Sequence, residues 1–419
     1  HANWEWTHLV FDTTSVGIRS EYNYRSFYEY IARSYRVSRC TTGISRSMLD
    51  TTDILIIKTP TEPYSPEEIE AIVAFVRCGG GLLLIGDHTN LFGMSTYLNA
   101  IAENFGMRFR YDDTFDLATT GLTVFSPDAL SHHPSVREVE DFTFLTSCTI
   151  EASPLVEPVM VGRGLGSEDV DYSHPNFFGN IAYDLCDRFG LFLQAGARRF
   201  GEGRVLLFTD STCFSNFCMF SRGKPELVSG LLDYLNRSGG RYGLVHHLIG
   251  FAALGLLALL GLIPSPTRPS PHLLVAVYLI LLIGFHLGNR LSLSLYGDIA
   301  TYSHDRTVLF DVSHSRASFS DYFGLSWQGD RADYTELYIS TQRIGLEPVA
   351  ARLDRLEQIQ PVAVVLIEPQ SPFSQNEIAD LMAYVKQGGR LLVVDSVCNG
   401  SSTANQLIEQ FGMRLYLAY

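Results

Sequence analysis

Residues 79–90, Gly79-Gly80-Gly81-Leu82-Leu83-Leu84-Ile85-Gly86-Asp87-His88-Thr89-Asn90, decide how this chain folds. Four apolar residues fenced by glycines are too few for a helix and predict a buried strand that ends in a polar cluster. In open α/β sheets ligands bind beyond the carboxyl ends of strands. Asp87, His88, Thr89 and Asn90 are therefore the first candidates for a binding site.

The approach to this strand occurs twice. Pro63-Tyr64-Ser65-Pro66-Glu67-Glu68-Ile69 through Phe75-Val76-Arg77-Cys78-Gly79-Gly80 aligns without a gap to Pro372-Phe373-Ser374-Gln375-Asn376-Glu377-Ile378 through Tyr384-Val385-Lys386-Gln387-Gly388-Gly389. Phe105-Gly106-Met107-Arg108 returns as Phe411-Gly412-Met413-Arg414, and Leu9-Val10-Phe11-Asp12 as Val308-Leu309-Phe310-Asp311. Such self-similarity marks a duplicated domain. In the second copy Ser396 and Val397 stand for Asp87 and His88, whereas Asn399 matches Asn90. A site at this strand end belongs to the first copy.

Local signals fill in the first copy. Thr7 to Asp12 reads as a strand, and Tyr24, Phe27, Tyr28, Ile31 and Tyr35 recur at helical spacing within Tyr22–Tyr35. Asp53–Ile57 is a second strand. Ser65 with Glu68 forms a capping-box pattern, Pro66 takes the first helical position, and Ile69, Ile72, Val73 and Val76 face inward before the triple glycine. Tyr97–Phe105 predicts a further helix. Alternating strands and helices require crossovers, hence a parallel sheet covered on both faces. After a long polar region, Tyr111–Asn180, the strand Arg204–Phe208 runs into Thr209-Asp210-Ser211-Thr212. Two polar clusters at neighbouring strand ends face one crevice.

Gly243 to Ile263 is an uncharged apolar run, and 272–289 is a second, separated by the proline-rich turn Pro264-Ser265-Pro266-Thr267-Arg268-Pro269-Ser270-Pro271. Runs of this length approach the ~30 Å hydrocarbon core of a bilayer, so the pair is expected to form a transmembrane hairpin. The expected organisation is a first α/β domain over 1–240, a hairpin over 241–290 and a second, abridged α/β domain over 291–419. A hairpin returns the chain to the side it left, so both α/β domains share one compartment. Arg237, Arg241 and Arg290 on the domain side, against Arg268 in the turn, lean toward a cytoplasmic face. The chain begins at His1 rather than Met, which is expected of a processed or truncated start.

A net charge of −14, with 45 acidic against 31 basic residues, argues against a nucleic-acid partner, since phosphate contacts need a basic face. No phosphate-binding glycine loop of the P-loop type is present, so any ATP hydrolysis is expected to lie in a partner. Seven cysteines lack metal-type spacing, and Cys148, Cys186 and Cys218 read as buried reduced thiols. Asp112, Asp113 and Asp116 read as a solvated acidic loop, because they lack the glycine and terminal Glu of a calcium loop.

Through Asp53-Ile54-Leu55-Ile56-Ile57, Gly86-Asp87-His88-Thr89-Asn90 and Phe105-Gly106-Met107-Arg108-Phe109 the chain resembles a loose superfamily of membrane-tethered domains of unknown function. These are related to the gliding-motility ABC-transporter auxiliary protein and to an intraflagellar-transport component. The resemblance implies two flavodoxin-like, class I glutamine amidotransferase-like parallel-sheet domains, other membrane-complex subunits as partners, ABC-transporter components among them, and an extracytoplasmic (periplasmic) location. Where an amidotransferase carries its cysteine and histidine, this chain has Asp87-His88 and Asp210-Ser211-Thr212, so amidotransferase chemistry is not expected.

Two functions follow. The first is a non-enzymatic membrane-anchored scaffold or ligand-binding subunit, whose ligand would meet Asp12, Asp87, His88, Thr89, Asn90, Asp210, Ser211 and Thr212; aromatics such as Trp4, Trp6, Tyr22 and Tyr24 suit its protein interface. The second is a hydrolase acting on a carbohydrate or amide through a divalent metal held by Asp87, His88, His174 and Asp210, with His132 an alternative ligand.

Overall fold

The structure, a computed structural model, describes residues 24–40, 42–118, 124–125, 133–139, 142–170, 184–215, 218–220, 223–236, 306–315 and 346–416, with single positions at 278, 279, 283, 284, 287, 334, 337, 338, 340, 341 and 344. In the first unit the strands are β1 (Ile54–Lys58), β2 (Gly81–Ile85), β3 (Met107–Phe109), β4 (Asp112–Asp116), β5 (Val124–Phe125), β6 (Phe142–Thr143), β7 (Ile150–Ala152), β8 (Glu157–Asp169), β9 (Arg188–Phe200) and β10 (Gly203–Phe208). Its helices are α1 (Arg25–Ile31), α2 (Arg46–Leu49), α3 (Pro66–Arg77), α4 (Met94–Ala102) and α5 (Lys224–Asn236).

The main sheet runs β1-β2-β10-β9-β8-β4. The glycine-fenced run is its centre: β2 pairs in parallel with β1 on one side and β10 on the other, Leu83 lying between Ile56 and Leu206. Every residue of β2 is buried. Leu83 and Ile85 join α1 and α5 in one core, with Phe27, Leu227 and Leu231, while Leu82 and Leu84 join α3 and α4 in the other, with Ile72, Leu98 and Ile101. Burial on both faces is why this strand reads as an unbroken apolar run rather than an alternation. Each such side chain contributes about 1.5–3 kcal/mol of transfer free energy.

The sheet is mixed, which corrects the expectation of a flavodoxin-like, amidotransferase-like parallel-sheet domain. Beyond β10 the pairings with β9, of β9 with β8 and of β8 with β4 are antiparallel. Much of the described part of the polar region 111–180 is thus sheet rather than loop. Asp112, Asp113 and Asp116 lie in the edge strand β4, where Asp112 is fully buried. It accepts from Thr149 N (2.8 Å), Thr149 Oγ1 (2.6 Å), Ser167 Oγ (2.7 Å) and Arg188 Nη2 (2.5 Å). Glycines at 162, 164, 166, 190 and 196, with register shifts along β8 and β9, erase the two-residue period by which a strand is read from sequence.

The second unit has β11 (Thr307–Asp311), β12 (Glu347–Ala351), α6 (Leu356–Ile359), β13 (Ala363–Ile367), α7 (Gln375–Lys386), β14 (Arg390–Val394) and α8 (Ala404–Ile408). Its four strands are all parallel, in the order β12-β11-β13-β14. The duplication is visible atom by atom. Ser65–Glu68 and Ser374–Glu377 both form complete capping boxes. Gly80 N donates to Phe75 O and Gly389 N to Tyr384 O, both at 3.0 Å. Thr59 and Glu368, one residue past equivalent strands, both have positive φ, 39° and 45°. The two units touch where Arg33 pairs with Glu347 and Tyr338 donates to Phe220 O at 3.0 Å.

The membrane hairpin is also corrected. Among the described residues no helix is long and apolar enough to cross a membrane. The runs 243–263 and 272–289 lie outside the described residues apart from five single positions. Nothing therefore supports a hairpin joining the units, an integral-membrane location or the extracytoplasmic placement that the resemblance to membrane-tethered domains implied.

Phe75 explains the second glycine of the triple. A Cβ on Gly80 would sit 2.3 Å from the Phe75 ring, and one on Gly389 2.3 Å from the equivalent Tyr384 ring. Gly80→Ala is expected to cost about 1–3 kcal/mol by overpacking, and Phe75→Ala in the same chain to reduce that cost. Strictly additive losses in denaturant unfolding would show that the ring is not what the new methyl meets.

Candidate functional site

Parallel pairing brings three strand ends together: Lys58-Thr59 at the end of β1, Gly86-Asp87-His88 after β2 and Thr209-Asp210-Ser211 after β10. Thr59 N donates to Ile85 O and Gly86 N to Phe208 O, each at 2.9 Å. The two polar clusters do face each other, as their positions after neighbouring strands imply.

Both carboxylates are occupied by the protein itself. Asp87 Oδ1 accepts from His88 N (2.8 Å) and Thr146 Oγ1 (2.9 Å), and Oδ2 from Ser211 Oγ (2.5 Å) and Ser211 N (3.2 Å). Asp210 Oδ2 accepts from Leu145 N (2.6 Å), Thr146 N (3.2 Å) and Cys213 Sγ (3.0 Å), and Oδ1 from Cys213 N (3.2 Å). Residues 145–147 are thereby strapped across the ends of β2 and β10. Ser147 Oγ adds a 2.8 Å contact to Thr209 Oγ1, which donates to Gln194 O at 2.7 Å. Asp87, Asp210, Ser211 and Thr212 are all buried.

The elbow after β2 is bent to suit. Thr89, Asn90 and Phe92 have φ of 50°, 53° and 53°, a left-handed region costly for residues with a Cβ. Asn90 offsets part of that cost by bonding the first turn of α4: its Oδ1 accepts from Thr96 N at 3.1 Å and its Nδ2 donates to Thr96 Oγ1 at 3.2 Å. His88 Nδ1 lies 3.0 Å from Thr89 Oγ1, and Nε2 is 3.8 Å from Asp87 Oδ1. Burial lowers the His88 pKa against the pull of Asp87.

Lys58 and Thr146 were not singled out by the sequence. Lys58, buried at the end of β1, donates from Nζ to Thr59 Oγ1 at 2.7 Å and lies 3.4 Å from the centre of the Tyr24 ring, whose hydroxyl is 3.4 Å from Ser211 Oγ. A lysine closing an apolar strand was the only signal for the first. Thr146 sits in Thr143-Phe144-Leu145-Thr146-Ser147-Cys148-Thr149, where hydroxyls and apolar residues are interspersed. Tyr24 is buried in the core rather than exposed at an interface. Trp4, Trp6 and Tyr22 lie outside the described residues. Cys148 and Cys218 are buried as expected, but Cys186 is exposed.

Asp12, His132 and His174 also lie outside the described residues. Asp311, the counterpart of Asp12, accepts from Ser313 N (2.9 Å), His314 N (2.8 Å) and Ser315 N (3.1 Å), again folding its own strand end. Of the proposed metal ligands, Asp87, His88 and Asp210 are brought near one another, but the carboxylate oxygens are taken up by N–H, O–H and S–H donors. Among the described residues no group of three His, Cys, Asp or Glu side chains is placed to hold a metal ion. A surface groove of ≈ 420 Å³ lies elsewhere, lined by Tyr64, Ile69 and Val73 on the α3 side and Ala100 and Asn104 on the α4 side.

The model of a domain of unknown function, DUF4350, matches residues 19–232. Among solved structures, the mmIFT52 N-terminal domain is 12% identical with a TM-score of 0.41, over 55% of this chain and 94% of that one. A ThuA-like protein from Bacteroides uniformis is 12% identical with a TM-score of 0.32, over 53% and 87%. A cytoplasmic protein from Salmonella typhimurium, STM3548, is 14% identical with a TM-score of 0.30, over 49% and 78%. These likenesses are weak. No curated protein matches the chain.

Burial, with the Asp87 charge adding to it, pushes Asp210 up to about 7 from 3.8. Between those values the folded state holds a proton that the unfolded state has lost, so stability falls as pH rises through that window, by up to about 1.4 kcal/mol per pH unit. His88, with its lowered pKa, works in the opposite sense, losing stability as pH falls below 6.5. Asp210→Asn is expected to flatten the decline between pH 5 and pH 7 in urea unfolding. An unchanged decline would show that Asp210 is not the group that binds the proton.

Proposed function

The chain belongs to the DUF4350 family of domains of unknown function, and we propose that it works as a non-catalytic protein-binding scaffold rather than as a hydrolase. One observation carries this: the four oxygens of Asp87 and Asp210 accept eight contacts from the protein's own N–H, O–H and S–H groups. A carboxylate that ligates a metal or acts as a general base must present an oxygen to an open position. Here those oxygens join three segments of chain. The second copy replaces Asp87 and His88 yet keeps the capping box and the close-packed glycine, as expected where the fold and not the chemistry is what both copies share. Other subunits of a complex are the partners in this reading, and ABC-transporter components remain one class to test.

The alternative hydrolase makes a different forecast for the purified full chain. Metal analysis by mass spectrometry is expected to find no stoichiometric divalent ion in wild type or in His88→Ala. A near-stoichiometric ion present in wild type and lost in the variant would overturn the scaffold proposal.

A further inference from the structure

Lys224 opens α5 yet is only 1% exposed, where a lysine side chain ordinarily extends its charge into water. A cation in a first turn also opposes the helix dipole, so the helix is not what places it there. Among the described residues its Nζ has one hydrogen-bond partner, Cys218 Sγ, to which it donates at 2.8 Å, and it stands 5.9 Å from the centre of the Phe142 ring. The oxygens of Asp210 accept instead from Leu145, Thr146 and Cys213. An ammonium buried without an anion is costly. The proton is therefore either balanced by a Cys218 thiolate or held by the sulfur beside a neutral amine. Burial alone would lower the Lys224 pKa, but Cys218, Cys213 and Asp210 raise it, which sets the pair as ammonium and thiolate.

Cys213 is held differently. Its Sγ donates to Asp210 Oδ2 at 3.0 Å, and burial with the Asp210 charge pushes it well above the ordinary thiol value, so it stays protonated. The thiolate is the nucleophile in sulfur chemistry, and a neighbouring lysine favours it. We propose that Cys218 is a peroxide-sensitive thiol whose oxidised form is captured by Lys224 as a sulfur–nitrogen bond. The sulfur attacks one oxygen of hydrogen peroxide, the O–O bond breaks, and the departing oxygen leaves as water with a proton from the Lys224 ammonium. Cys218 is then a sulfenic acid, oxidised by two electrons, beside a neutral amine. The amine nitrogen attacks the sulfur, the S–O bond breaks, and hydroxide leaves with an amine proton as a second water. Sulfenic acids condense in this way with backbone nitrogen, and here the lysine takes that part. Both side chains are buried, which suits an oxidant as small as peroxide and keeps bulkier thiols from the sulfenic acid before the amine reaches it. The bond joins the turn after β10, which carries Asp210 and Cys213, to the start of α5.

This site is independent of the scaffold reading, which no outcome at Cys218 touches. The purified full chain is treated with hydrogen peroxide at neutral pH, unfolded, blocked with N-ethylmaleimide and cut with trypsin. Cleavage after Arg204, Arg222 and Arg237, with the Lys224–Pro225 bond left intact, puts Cys213 and Cys218 in the peptide 205–222 and Lys224 in 223–237. Mass spectrometry is expected to find these two peptides joined, lighter than their sum by two hydrogen atoms apart from one maleimide on Cys213, and to find them separate after dithiothreitol. Cys213→Ser is expected to keep the link, and Lys224→Arg to abolish it, with Cys218 carried on to the sulfinic acid. The wild-type result needs no variant to fold. A disulfide between Cys213 and Cys218, which stays inside 205–222, would overturn the proposal. So would over-oxidation of wild-type Cys218 without joined peptides, or maleimide on both cysteines after peroxide.

Discussion

A carboxylate buried at a strand end must find its donors inside the protein, and here two of them at adjacent ends determine how the surrounding loops run. Asp87 and Asp210 both reach residues 145–147, Asp87 through Thr146 Oγ1 and Asp210 through the amides of Leu145 and Thr146. Leaving such an acceptor unsatisfied costs about 1–3 kcal/mol, more when it is charged. The strap that crosses β2 and β10, the turn after β10 and the left-handed elbow of Thr89 and Asn90 are consequences of meeting that demand. The same strap continues through Ser147 to Thr209 and Gln194, linking the parallel half of the sheet to its antiparallel half.

The second unit shows what the first looks like without that completion. It keeps the capping box, the glycine under an aromatic ring and the positive φ after the third strand, yet it has neither strap nor antiparallel strands among the described residues. Asp395 takes over part of the local duty, accepting from Ser396 N and Asn399 Nδ2 at 2.8 Å, and Glu368 accepts from Ser396 Oγ at 2.6 Å. The polar groups of this unit close their own strand ends.

Sequence alone carried the parallel core well, because Leu82–Ile85, the capping boxes and the paired glycines are strong local signals that tertiary packing then exploits. It also put Asp87 and Asp210 at one crevice, since both follow parallel strands. It missed the antiparallel half because Gly162, Gly164, Gly166 and Gly190 interrupt the alternation of β8 and β9, and because buried Asp112 looks solvated until Thr149, Ser167 and Arg188 are seen around it. It could not show that the site was internally satisfied. The donors come from residues 59 and 124 positions away in the chain, a pairing only the fold creates.

The central claim is that Asp87 holds the strand ends together, and a double-mutant cycle measures this directly. Asp87→Asn, Ser211→Ala and their combination, unfolded in urea at pH 7, are predicted to show a coupling energy of about 1–3 kcal/mol, as expected for contacting residues in one buried network. Additive losses, with no coupling between the two positions, would contradict the account and return Asp87 to consideration as a residue kept for chemistry.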